Sequence, residues 1–329
     1  MTGSDDLMHL AGEGYLPADV DVTGGAVSLA RLAHSGFREV WYGDTAAEKT
    51  AENIRRIPFQ SFIDQFADRR SGERLRLIAH TSRCGSTLLA NLLGLRPSTM
   101  VLKEPDFITV PAREIVLAAD AAGARKFSSL LRALVNFTCH AASAAGRAPV
   151  IKISSWTTPV LIGELHGDAS WLFLWREPEK VVASNRAKHP SWGKGTEEGR
   201  AAARLTGVAG IEPGSVEFYA RTWDGIVGAF LAADGLGHRR TLRYRDLADD
   251  KETALLSAES WFGLTRAGAL PEDFDQEVRR YSKGSGREVF EPAGTHLRDP
   301  LDPAEADRVR AVTGPALTAL LGAGDHRLF

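Results

Sequence analysis

Two short segments carry residue types that together could hold an anionic ligand. The first is Thr81-Ser82-Arg83-Cys84-Gly85-Ser86-Thr87-Leu88-Leu89, between an apolar run and a helical pattern. Small residues let backbone N–H groups approach an anion, and a helix N-terminus adds a favourable dipole and free donors. Ser86 and Thr87 add hydroxyls. A nucleotide-hydrolysing loop, G-x-x-x-x-G-K-[ST], needs Gly at position 80 and Lys at position 86. His80 and Ser86 stand there instead. The loop thus has the setting of a phosphate cradle without the residues of an ATP- or GTP-hydrolysing one. An ordinary strand–helix turn rich in Ser and Thr would look the same.

The second segment is Arg176-Glu177-Pro178-Glu179-Lys180-Val181-Val182-Ala183-Ser184, directly after the apolar run Trp171 to Trp175. A magnesium-holding strand would end in Asp, whereas this one ends in Arg. A cation here suits a second anionic group, or alternatively a surface ion pair with Glu179. Ser184 lies just over two helical turns beyond Arg176, which returns its hydroxyl to the side facing that residue.

The elements that must position these segments alternate. Short apolar runs at Leu75–His80, Met100–Leu102, Pro149–Ile153, Trp171–Trp175 and Thr241–Tyr244 read as strands. Between them, helical patterns fill 86–95, 111–122, 125–143, 158–166, 178–186, 215–233 and 246–262. This alternation predicts an α/β fold: a parallel β-sheet of about five strands flanked by helices. Ligands of such sheets bind at the carboxyl ends of the strands, where both segments fall. Residues 1 to 70 lack a clear alternation. Within them Ala46–Phe66 reads as a helix interrupted at Pro58, and the hydrophilic stretch Asp68–Glu73 reads as a linker.

The chain has 329 residues, with hydrophobic residues at 43% and charged residues at 25%, so it is globular rather than fibrous or disordered. A net charge of −2 argues against a general nucleic-acid binder. No run of 18 apolar residues predicts a membrane span, and Met1-Thr2-Gly3-Ser4-Asp5-Asp6 has no basic, apolar leader pattern. Two cysteines, Cys84 and Cys139, give no disulfide framework and suit a reducing, cytoplasmic setting. The nine histidines fall into no metal-ligand spacing, so no metal is expected. Nine Lys against 31 Arg is the usage of a GC-rich, bacterial genome.

Taken together, the two segments resemble the sulfotransferase family that uses 3′-phosphoadenosine-5′-phosphosulfate. Its first-strand loop, [KR]-S-G-[ST]-[ST], corresponds to Arg83-Cys84-Gly85-Ser86-Thr87. Its R-x-P-x-x-x-x-x-S segment corresponds to Arg176 through Ser184, with the spacing intact. Residues 75–190 carry the resemblance, and Leu242-Arg243-Tyr244-Arg245-Asp246-Leu247 extends it weakly to about 262.

The resemblance implies a P-loop-like fold in which Ser82, Arg83, Cys84, Gly85, Ser86 and Thr87 bind the 5′-phosphosulfate and Arg176 and Ser184 the 3′-phosphate. It implies Arg83 as the transition-state cation and Glu104, in Lys103-Glu104-Pro105, as the general base, as in the tyrosylprotein branch. Cytosolic aryl-type members place a His in a K-x-H segment, where this chain has Lys152-Ile153-Ser154. Lys283 and Gly284 match part of the family's nucleotide-covering loop. Lys188 to Lys194 has the makeup of a substrate lid or a solvated connector.

The implied organisation is an N-terminal extension, 1–70, that contributes to the acceptor pocket; a sulfotransferase-like core, 71–265; and C-terminal helices with the covering loop, 266–329. The implied partner is a small-molecule or carbohydrate acceptor with a hydroxyl or amine. A phosphotransferase on the same scaffold and a non-catalytic nucleotide binder are the competing readings.

Overall fold

A computed structural model of the chain describes residues 7–33, 37, 39, 41–49, 54–69, 72, 74–165, 169–233, 238–264, 270–279, 300–323 and 328. The N-terminal part runs α1 (Leu7–Gly12), β1 (Tyr15–Asp21), β2 (Ala26–Arg31), α2 (Tyr42–Lys49), β3 (Arg55–Pro58) and α3 (Phe59–Phe66). The alternating part follows with β4 (Leu75–His80), α4 (Ser86–Gly94), β5 (Thr99–Lys103), α5 (Asp106–Leu117), α6 (Ala121–Ala144) and β6 (Ala148–Lys152). Next come α7 (Thr158–Leu165), β7 (Ala169–Trp175), α8 (Pro178–Ala187), α9 (Glu197–Leu205), α10 (Val216–Leu231) and β8 (Arg239–Arg243). Four helices complete the order: α11 (Tyr244–Asp249), α12 (Lys251–Phe262), α13 (Phe274–Arg279) and α14 (Pro303–Gly322).

The expected sheet is present. Five parallel strands lie in the order β5-β6-β4-β7-β8, so β4, which feeds the first segment, is central. Its apolar run and that of β7 are buried at every residue. Successive side chains of a strand point to opposite faces, and the two faces have separate cores. Leu77, Ala79, Trp171 and Phe173 pack on one side, against Phe62, Leu134 and Phe137. Ile78, Leu172, Leu174 and Val150 pack on the other, against Leu89, Leu93 and Leu255. A strand covered on both faces reads as continuously apolar, which is why these runs stand out in the sequence.

Residues 1–70 depart from expectation. The helix expected over Ala46–Phe66 is two helices, α2 and α3, with β3 before α3. Pro58 forces the residue before it into extended backbone and lacks an N–H, which suits the end of an edge strand. β3 pairs with β2, and β2 with β1, in a three-stranded antiparallel sheet that shares its core with the parallel one. Other boundaries shift. The helix expected at 111–122 begins at Asp106, right after Pro105, and the one expected at 246–262 breaks at Asp250. Asp250 accepts a bond from the Thr253 N–H and so starts a new helix. Among the described residues no helix is long and apolar enough to cross a membrane.

Gly85 joins the loop after β4 to α4 with φ of 79°, and a Cβ there would lie 2.9 Å from Leu247 and 3.1 Å from Tyr244. Gly85→Ala is therefore expected to cost about 1–2 kcal/mol in unfolding free energy. Gly94, in the same helix, has only ordinary contact room with Val101, so Gly94→Ala should be neutral or stabilising. Urea unfolding of the two variants checks the contrast.

Candidate active site

The loop after β4 is held in an unusual backbone. Ser82 and Arg83 have φ of 68° and 51°, followed by the left-handed Gly85. Such conformations cost about 1–3 kcal/mol each in non-glycine residues and persist only where surrounding contacts impose them. Those contacts are visible. The Ser82 N–H donates to His80 Nδ1 at 2.9 Å, and the Ser82 hydroxyl to Asn185 Oδ1 at 3.1 Å. The Cys84 thiol, wholly buried, donates to the Leu174 carbonyl at 3.3 Å. The loop then enters α4, whose N-cap, Gly85, supplies no side-chain bond. The first N–H groups of a helix lack intrahelical partners, so this end is open to an anion.

The second segment closes on the first. Arg83 Nε donates to Ser184 Oγ at 2.7 Å, and the Arg176 guanidinium donates to the Arg83 carbonyl at 3.2 Å. Arg176 is not a surface ion-pair residue. It is 9% exposed, and its guanidinium lies 4.4 Å from the centre of the Tyr244 ring. Glu179, the alternative partner, bonds Arg310 instead. Trp223 Nε1 donates to the Arg176 carbonyl at 3.1 Å and fixes the strand end. Two buried donors at this cluster have no partner among the described residues: Thr87 Oγ1, in the first turn of α4, and Asn185 Nδ2. Orphaned donors beside two guanidinium groups fit an anionic ligand.

Glu104 stands where β5 ends, with φ of 51° and its N–H donating to the Lys152 carbonyl at 2.6 Å. Its carboxylate is not a free surface group. It bonds the ammonium of Lys152, a side chain with no exposed surface, and lies 3.8 Å from His80 Nε2. His80 Nδ1 accepts the Ser82 N–H, so in neutral imidazole the proton sits on Nε2, facing Glu104. Sequence reasoning missed His80 as a site residue, noting it only as a departure from a glycine. The available signal was an imidazole at the last position of the strand, directly after the apolar run Leu77–Ala79 and immediately before the loop.

Ser82, Arg83, Glu104 and His80 line one cavity of about 590 Å³. The same cavity is also lined by Trp41, Gly43 and Asp44 from the N-terminal part, Asp106 from α5, and Lys188 to Trp192 with Glu198; the Trp41 ring lies 5.7 Å from the Lys152 ammonium. Residues 188–192 of the Lys188 to Lys194 segment therefore line the cavity. His189 Nδ1 lies 2.7 Å from the Tyr219 hydroxyl, whose pKa is pushed up to about 12 by burial, so the phenol keeps its proton. Lys283 and Gly284 lie outside the described residues. No three His, Cys, Asp or Glu side chains among the described residues cluster closely enough to hold a metal ion.

No protein-family profile and no curated protein matches the chain. Solved structures do. The sulfotransferase domain from the curacin biosynthetic pathway is 14% identical, over 77% of this chain and 98% of that one, with a TM-score of 0.45. A sulfotransferase from Alicyclobacillus acidocaldarius is 14% identical over 78% and 97%, with a TM-score of 0.42. Retinol dehydratase in complex with retinol and PAP is 10% identical over 95% of both chains, with a TM-score of 0.38. Likeness this distant leaves the site to be read from its own residues.

Asp106 has its pKa raised, first by burial and then by the like charges of Glu198 and Asp19, against a smaller lowering by Arg113. A carboxyl raised in the folded state binds protons there more readily than in the unfolded chain, so stability falls as pH climbs from 3.8 through the folded value. Asp106→Asn removes that loss. The variant should melt above the parent at pH 7, with the gap closing as the pH drops toward 4. Calorimetric melts across that range check it, and a gap that stays constant would contradict the assignment.

Proposed function

We propose that the chain is a sulfotransferase that moves the sulfuryl group of 3′-phosphoadenosine-5′-phosphosulfate to a hydroxyl or amine of a small molecule or carbohydrate. The observation that carries the reading is the convergence of Arg176 and Ser184 on Arg83, beside a cavity walled by Glu104. Two cationic strand ends meeting at one uncapped helix suit a ligand with two separate anionic groups.

In this reading Ser82, Arg83, Cys84, Gly85, Ser86 and Thr87 hold the 5′-phosphosulfate, through backbone N–H groups, hydroxyls and the Arg83 guanidinium. Arg176 and Ser184 hold the 3′-phosphate. Ser184 accepts from Arg83, which leaves its own hydrogen to donate to a phosphate oxygen. Residues 41–44 and 188–192 build the acceptor end of the cavity.

The bound donor supplies a sulfuryl group on a phosphate leaving group. As the acceptor oxygen bonds to sulfur, its proton passes to a carboxylate oxygen of Glu104. Lys152 and His80 aim that carboxylate. His80 is not the base in the tautomer set by Ser82, because its cavity-facing nitrogen carries the proton. Arg83 meets the charge that grows on the leaving phosphate, which a guanidinium does with two donors. β7 ends in Trp175 and is followed by Arg176 rather than Asp, and Ser86 stands where a triphosphate site has Lys. The competing phosphotransferase reading lacks both residues.

Two outcomes test the assignment. Adenosine 3′,5′-bisphosphate should bind about tenfold or more tighter than adenosine 5′-phosphate, the worth of one charge-assisted contact. Arg176→Ala should erase most of that preference, and equal affinities in calorimetry would remove the 3′-phosphate site. Glu104→Gln should leave nucleotide affinity nearly unchanged while slowing single-turnover transfer about 10²–10⁴-fold. Near-parental rates on every acceptor would move the base elsewhere.

A further inference from the structure

One imidazole touches both halves of the site. His80, the last residue of β4, is 3% exposed and lines the cavity with Ser82, Arg83 and Glu104. Its Nδ1 accepts the N–H of Ser82, two residues on, in the left-handed stretch of the cradle. Its Nε2 lies 3.8 Å from Glu104 Oε1, beyond hydrogen-bond length but within ion-pair reach. The wholly buried Lys152 ammonium meets the same carboxylate oxygen. Ser82 and Glu104 both have positive φ, so the ring spans two strained backbones, one after β4 and one after β5. Those strands are not neighbours, because β6 lies between them. No ladder of backbone bonds joins the two strand ends, and the side chain does.

The chemistry of the ring suits the span. A neutral imidazole has one acceptor nitrogen and one donor nitrogen. The Ser82 N–H takes the acceptor, and the donor is left on the side of the carboxylate. Shorter amides can do only one of these jobs. The Asn Oδ1 stands as many bonds from Cα as the imidazole Nδ1 and can accept from a backbone N–H two residues on, but nothing in Asn extends to the Nε2 position. The Gln Nε2 stands as many bonds out as the imidazole Nε2, and Gln has no acceptor at the Nδ1 position.

We infer that His80 ties the nucleotide cradle to the base and is a positioning residue for both. Nδ1 holds the Ser82 backbone in the shape that receives the nucleotide. Nε2–H holds Glu104 by Oε1, which leaves Oε2 to take the acceptor's proton. Beyond aiming the carboxylate, His80 is thus a determinant of nucleotide affinity that acts through Ser82. The roles of cradle and base rest on the sulfotransferase reading, whereas the link between them rests on the geometry of His80 alone.

The test uses the full chain and two substitutions that each keep one half of the link. In proton–nitrogen spectra of the chain labelled with nitrogen-15 histidine, the His80 ring, identified from the assigned backbone, should show the Nε2–H tautomer. Glu104→Gln should move its Nε2–H proton upfield, because a neutral amide replaces the carboxylate, and leave the tautomer as it is. In calorimetry with adenosine 3′,5′-bisphosphate, His80→Asn should bind within about threefold of the parent, since Asn still accepts from Ser82. His80→Gln should bind about tenfold or more weakly, since the buried Ser82 N–H loses its acceptor. An Nδ1–H tautomer, an Nε2–H proton indifferent to Glu104→Gln, or equal losses of affinity in His80→Asn and His80→Gln would overturn the inference. If the two His80 variants do not fold, the spectra of the parent and of Glu104→Gln decide it. Failure of the bisphosphate to bind the parent would instead count against the donor assignment, since the spectra, recorded without nucleotide, still read the link.

Discussion

The backbone of residues 82–85 turns left-handed at Ser82, Arg83 and Gly85, and the rest of the site depends on holding it there. Two of these are non-glycine residues, each costing about 1–3 kcal/mol. Single hydrogen bonds return about 0.5–1.5 kcal/mol each, so no one contact suffices. The loop is instead pinned from several elements: His80 at the end of β4, Leu174 in β7, Arg176 after it, and Ser184 and Asn185 in α8. Tyr244 and Leu247 of α11 close over Gly85. A strained loop with this much support is pre-organised, with no side-chain cap on its helix and with the nearby Thr87 Oγ1 and Asn185 Nδ2 donors lacking a partner among the described residues.

The parallel sheet makes that support possible. β4 and β7 are neighbours, with His80 opposite Leu174, so the loop after β4 and the strand end at Arg176 start side by side. On the other flank, β6 lies between β4 and β5, and Lys103 is opposite Lys152. Glu104 follows immediately and turns left-handed, which brings its carboxylate back to Lys152. The Glu104–Lys152 pair and the anion cradle are thus consequences of one strand order.

Legibility in the sequence followed the same physics. β4 and β7 were readable because burial on both faces leaves the apolar runs Leu77–Ala79 and Trp171–Trp175, and the two anion segments because their small and cationic residues sit at strand ends. The antiparallel sheet of residues 15–58 was not read. β1 carries a register shift between Pro17 and Asp19 that breaks the alternation a half-buried strand should show. The Gly24-Gly25 pair between β1 and β2 was the signal available for a hairpin. Nothing local in Lys152-Ile153-Ser154 reveals that the Lys152 ammonium is buried against Glu104 of the neighbouring strand end. Much of the cavity lining was invisible in the sequence, since Trp41, Asp106, Ser155 and Glu198 are brought together only by the tertiary fold.

The central claim is that the cradle binds a nucleotide with separate 3′ and 5′ anionic groups without a metal bridge. The most direct measurement is calorimetric titration of the chain with adenosine 3′,5′-bisphosphate and with ATP, each in EDTA and again in excess magnesium. The account predicts that the bisphosphate binds equally well in both conditions and more tightly than ATP in either. Binding of ATP that appears only with magnesium, and exceeds that of the bisphosphate, would contradict it.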